Sequence, residues 1–87
     1  MIRVLVPSQL HSYTGGVSRL EAPVGAICDV LDDLDRRFPG LKFRIVDEQD
    51  RIRPHMRLFV GRDAARDVHA GLRDGDELMI FGALSGG

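Results

Sequence analysis

Apolar and polar positions alternate at the start of the chain. Ile2, Val4 and Val6 point to one side of an extended segment, and Arg3 and Leu5 to the other. Pro7 ends this first strand. Tyr13-Thr14-Gly15-Gly16 supplies turn residues, read as part of a hairpin connection, and 17–22 returns as a second strand. Gly15-Gly16 lacks the surrounding glycine spacing of a phosphate-binding loop and is expected to be a turn. After Pro23 the period changes. Val24, Ile27, Leu31, Leu34 and Phe38 recur at steps of three or four, which predicts a helix with one apolar stripe, widened by Val30. Arg36-Arg37 suits the negative end of that helix, and Pro39-Gly40 stops it.

The stretch from Leu41 to Pro54 is expected to be a short irregular segment followed by a loop. Leu41, Phe43 and Ile45 alternate, but the chain then turns polar at Asp47-Glu48-Gln49-Asp50. Strand patterning returns at 56–60, with Met56, Leu58 and Val60 against Arg57 and Phe59. A charged connection is expected over 61–67. Leu72 is an apolar anchor before an Asp74-Gly75 turn, and 78–81 is the last strand, with Leu78 and Ile80 opposite Met79 and Phe81.

This order predicts an α+β roll: a mixed sheet of four to five strands with one main helix packed across one face. The helix stripe is expected to cover Ile2, Val4, Val6, Leu20, Leu58, Val60, Leu78 and Ile80. Leu5, Phe59, Met79 and Phe81 then fall on the bare face, rimmed by Arg3, Arg19 and Arg57, and are the candidate partner-docking residues. The competing expectation is that the 41–54 segment, or a second copy of the chain, covers them.

Composition narrows the function. With 87 residues the chain makes one domain, and 44% hydrophobic and 29% charged residues are ordinary globular values. A net charge of −1 offers no excess of cations to displace counterions, so nucleic acid is not expected as the main partner. No apolar run is long enough to cross a bilayer, no membrane partner is expected, and a cytoplasmic location is the default. The one cysteine, Cys28, cannot form an internal disulfide and has no cation beside it in sequence to activate it.

Catalytic groupings are missing from the sequence. His11, His55 and His69 are scattered without ligand spacing, so no metal site is expected. No serine sits in a strained nucleophile turn. Asp29, Asp32, Asp33 and Asp35 are expected to form a solvated helix face, because metal ligands must converge and these fan outward. An enzyme is not expected.

The end of the chain is its other feature. After the last strand, Gly82-Ala83-Leu84-Ser85-Gly86-Gly87 is expected to be a flexible tail over 82–87, attached to a folded body over 1–81. Fully extended, it reaches about 20 Å, enough to thread a partner's active site.

Opening strand into Pro7, Tyr13-Thr14-Gly15-Gly16, the helix pattern from Val24 to Leu34, and Leu72-Arg73-Asp74-Gly75-Asp76-Glu77-Leu78 leading to Gly86-Gly87 carry a resemblance over the whole length. The chain resembles the prokaryotic sulfur carriers of the MoaD/ThiS family, which have the ubiquitin-like β-grasp fold. Its Thr-Gly-Gly segment and long middle section look most like the branch serving cysteine biosynthesis. It departs from the family where Phe81-Gly82-Ala83 replaces prolines before the tail, and where Val60-Gly61 replaces Val-Asn.

The resemblance implies a carrier with no bound cofactor. An E1-like adenylyltransferase and sulfurtransferase, using ATP and Mg²⁺, would activate the carboxylate of Gly87 and convert it to a thiocarboxylate. Gly82, Ala83, Leu84, Ser85 and Gly86 would fill the partner's channel, and Leu5, Phe59, Met79 and Phe81 would dock the partner. A downstream synthase would accept the sulfur for cysteine, molybdopterin, thiamine thiazole or a sulfur-containing natural product. Two alternatives stand beside this: a non-covalent β-grasp interaction module, and a ubiquitin-like protein modifier. Lys42 is the only lysine, so self-conjugation has almost no acceptor.

Overall fold

The computed structural model describes residues 1–82. Five strands, β1 (Ile2–Leu5), β2 (Arg19–Ala22), β3 (Met56–Val60), β4 (Asp63–Ala65) and β5 (Glu77–Gly82), form one sheet in the order β2-β1-β5-β3-β4. β1 and β5 run parallel, and the other neighbouring pairs are antiparallel. The main helix, α2 (Ile27–Arg37), buries Ile27, Val30, Leu31 and Leu34 in one core with Ile2, Val4, Val6, Leu58, Leu78 and Ile80. The α+β arrangement is therefore the expected one. β1 is interior, and β5 holds the centre.

Three connections differ from the sequence expectation. The link after β1 is not a simple hairpin turn: a 3-10 turn at Ser8–Leu10 runs into a short helix, α1 (His11–Thr14), closed by Gly15 at φ 65°. It coils because that buries Leu10 and Thr14, and the Thr14 hydroxyl donates to the Val17 carbonyl at 2.7 Å. The segment read as irregular begins with a helix, α3 (Leu41–Ile45). Leu41 and Ile45, four apart, are both fully buried, while Phe43 is 53% exposed. An apparent alternation was thus half of a helical repeat. The charged connection contains β4, a three-residue edge strand paired to β3 through Leu58↔Ala65 and Val60↔Asp63.

The helix also starts later than its stripe implied. Val24 precedes it and is 52% exposed. Ala26, at the N-cap, has no side-chain acceptor, so the first amides need other partners. Ile27 N–H donates to the Ala70 carbonyl at 3.0 Å and Cys28 N–H to the Val68 carbonyl at 2.8 Å. Asp29 accepts from the Ala26 amide at 3.0 Å. The helix begins where the 68–70 backbone can meet it, with Val68 and Leu72 buried on either side.

Candidate docking face and tail root

The bare side of the sheet is built by cross-strand register. One row runs across all five strands: Arg19 opposite Leu5, Leu5 opposite Met79, Met79 opposite Phe59, and Phe59 opposite Ala64. The next row toward the end of β5 holds Arg57 opposite Phe81. Leu5, Phe59 and Met79 are half-buried and Phe81 is 47% exposed. Phe59 and Phe81 meet edge to face, with ring centroids 5.6 Å apart. The structure thus brings together all four residues read as docking positions. On the opposite flank, Arg3 stands between Glu21 and Glu77 in register, giving that end a mixed charged border.

The first part of the 41–54 segment turns away from this face, and its later part, 49–54, borders it beside Arg57 and Phe59. Leu41, Ile45 and Val46 are buried in the core on the α2 side. Arg37 of α2 donates to the Glu21 carbonyl at 2.6 Å, which occupies an acceptor of the edge strand β2 and blunts that edge against strand addition.

Gly82, read from sequence as the first tail residue, is the last residue of β5, opposite Met56. β1 ends at Leu5, and Pro7 has no N–H with which to continue a ladder. The side-chain amide of Gln9 takes that role, donating to the Gly82 carbonyl at 3.1 Å. Gln9 was not legible as a tail-root residue, since nothing local distinguishes a loop glutamine. Ala83, Leu84, Ser85, Gly86 and Gly87, the remaining tail positions, lie outside the described residues.

The acidic helix face has structural partners. Asp33 pairs with Arg36 and Arg37 at 3.2 and 3.1 Å, and Asp35 accepts the Gly40 and Lys42 amides. Lys42 Nζ lies 2.5 Å from Asp32 and 3.5 Å from Asp50. The Asp32 hydrogen bond, against an opposing desolvation, raises the lysine's pKa above its ordinary value. Among the described residues no three His, Cys, Asp or Glu side chains form a metal-binding group. His11 Nε2 is 3.0 Å from the Val6 carbonyl. His69 Nδ1 is 3.8 Å from Cys28 Sγ, a proximity that sequence distance concealed. Among the same residues no helix is long and apolar enough to cross a membrane.

No family model matches the chain. The sulfur carrier protein CysO of Mycobacterium tuberculosis is 25% identical over 91 residues, covering 99% of this chain and 98% of that protein. Among solved structures, the BexX/CysO complex of Amycolatopsis orientalis contains a chain that matches with a TM-score of 0.91 and 29% identity, over 100% of both chains. Small archaeal modifier protein 1 of Methanosarcina acetivorans matches with a TM-score of 0.81 and 23% identity, over 99% of this chain and 95% of that one, a likeness of fold alone. Sequence and fold together support a MoaD/ThiS-like, ubiquitin-fold (β-grasp) sulfur carrier of the CysO-like branch, and the relatives it matches are carrier proteins acted on by partner enzymes.

Proposed function

We propose that this protein carries sulfur on the carboxyl of Gly87. An E1-like partner, supplying ATP and Mg²⁺, joins that carboxylate to AMP and releases pyrophosphate. A free carboxylate is a poor electrophile, and the mixed anhydride supplies a leaving group. A donor at the oxidation level of hydrosulfide then attacks the acyl carbon through sulfur, AMP departs with the bonding pair, and loss of the sulfur-bound proton leaves a thiocarboxylate. A second partner, a sulfur-accepting synthase, uses that soft nucleophile without release of free sulfide. Activation consumes ATP, so the reading implies a cytoplasmic location.

The observation that carries this reading is the position of the tail root. β5 ends at Gly82 directly beside Phe81, at the border of the apolar row. A partner seated on Leu5, Phe59, Met79 and Phe81 would therefore have the tail entering it from the edge of the contact. A CysO relative was solved in complex with BexX, which supports a protein partner for this chain as well. The acceptor remains one of the classes named above: a precursor of cysteine, molybdopterin, the thiamine thiazole or a natural product.

The test is intact-mass measurement after incubation with the native activating enzyme, ATP and a sulfur source. The expected result is the mass gain of one oxygen exchanged for sulfur at the C-terminus. An unchanged mass favours a non-covalent interaction module, and larger adducts on other proteins favour a modifier. Deleting Gly86 and Gly87 should abolish the gain and leave the melting temperature nearly unchanged.

A further inference from the structure

Next to the apolar row lies an open cleft of about 800 Å³, bounded by the loop before β3, by β3 and β4, and by residues 66–69. Its floor is apolar, with Ile52, Met56 and Ala65, and its walls are cationic, with Arg53, Arg57 and Arg66. None of these three arginines has a carboxylate within ion-pair distance among the described residues.

Two of the three guanidinium groups are held in place by neutral partners. Arg53 donates through Nε to the Phe43 carbonyl at 2.6 Å, with its guanidinium 4.4 Å from the centre of the Phe43 ring. Arg57 donates through Nη1 to the Pro54 and Met56 carbonyls at 2.8 and 2.9 Å. Each keeps its full positive charge and further donors while its position is restrained, the condition for forked recognition of a carboxylate. Arg66 makes no hydrogen bond or ion pair among the described residues and lines the same cleft. The two aspartates in the cleft wall are engaged: Asp50 faces Lys42, and Asp67 accepts the His69 amide at 2.9 Å. The acids of α2 pair with their own neighbours in the helix and α3, which leaves this cleft as a local positive pole on a molecule of net charge −1.

We propose that this cleft receives an acidic, partly aliphatic segment of the same protein that docks on the sheet, as a second contact beside the apolar row. The inference rests on the docking reading above. Phe59 lines both surfaces, so one partner covers them together. The cleft is too large and too apolar in its floor to be built for a small inorganic anion. A nucleic acid would require a broad cationic surface, which the net charge does not provide.

The test uses the isotope-labelled full chain and a capped synthetic peptide of alternating glutamate and leucine, followed by NMR. Amide signals of Arg53, Ala65 and Arg66 should shift at low salt, with binding weakened several-fold as ionic strength shortens the screening length. Arg66→Glu should weaken binding about tenfold with little effect on stability, as surface substitutions do. Arg53→Glu should weaken it further, and Arg66→Glu keeps the test valid if loss of the Phe43 contact perturbs folding. Absence of shifts at millimolar peptide overturns the proposal. So does an equal response to a glutamine–leucine peptide, to inorganic phosphate alone, or a stronger response to single-stranded DNA. A chain that fails this titration yet gains sulfur in the mass assay overturns this proposal and leaves the carrier reading standing.

Discussion

The side-chain amide of Gln9 binds the carbonyl of Gly82 across 73 positions of sequence, tying the loop after β1 to the end of β5. That contact holds Gly82, the last described residue, in place at the end of β5. An added Cβ at Gly82 would lie 2.9 Å from Gln9 Nε2, so the two positions are fitted to one another. Gln9→Ala should remove only an exposed hydrogen bond, at a cost of about 0.5–1.5 kcal/mol or less. Hydrogen exchange should rise at the end of β5 and stay unchanged in α2; equal acceleration throughout would show that Gln9 supports the whole fold.

The paired phenylalanines should separate binding from stability. Phe81→Ala truncates a side chain already 47% exposed and should lower the melting temperature little. Phe59→Ala removes a half-buried ring and should cost more. Both should weaken binding to the proposed activating enzyme by more than they destabilise the chain, read by calorimetry beside thermal melts. Unchanged affinity in both variants would remove the bare sheet face from the docking argument.

The core should respond very differently from the apparent start of the helix stripe. Leu31 is fully buried, and Leu31→Ala should cost about 2–5 kcal/mol through lost transfer energy and a residual cavity. Val24, 52% exposed and outside the helix, should tolerate alanine within about 0.5 kcal/mol. Urea midpoints of the two variants measure the contrast.

Gly40 joins α2 to α3 at φ 94°, and a Cβ there would meet the Tyr13 ring at 3.2 Å. Gly15 has φ 65° but open space around it. Gly40→Ala combines a left-handed backbone, worth about 1–2 kcal/mol for an L-residue, with that contact. Gly15→Ala has the backbone term alone. Gly40→Ala should therefore be the less stable variant in denaturant titration.

Acid should weaken the 47–51 turn. The Arg51 backbone amide donates to Asp47 at 3.0 Å and is the main cause that holds this carboxyl below its ordinary pKa; the Gln49 amide and the Arg51 charge act the same way against a smaller desolvation. A depressed folded pKa means stabilisation that is complete above the unfolded value, about 3.9, and is lost as pH falls through the folded one. Asp47→Asn should lower stability at neutral pH and flatten the pH dependence below about pH 4. An unaltered acid limb in urea midpoints would show that this carboxylate does not report on folding.

Local pattern was enough for what depends on local geometry. Side chains alternate along a strand and recur every 3.6 residues along a helix, so the two faces of β1, β3 and β5 and the stripe Ile27, Leu31 and Leu34 could be read directly. The same alternation assigned Leu5, Phe59, Met79 and Phe81 to one face. Short segments were misread because five residues such as 41–45 carry too little repeat to separate a helix from a strand. What only the tertiary structure decided were relations between distant positions: carbonyls of Val68 and Ala70 capping α2, Gln9 completing the ladder at Gly82, and Arg53 and Arg66 lining one cleft. The first two depend on which backbone group is left without a partner once the sheet has formed, the third on which loops the fold brings side by side, and no periodicity along the chain records either.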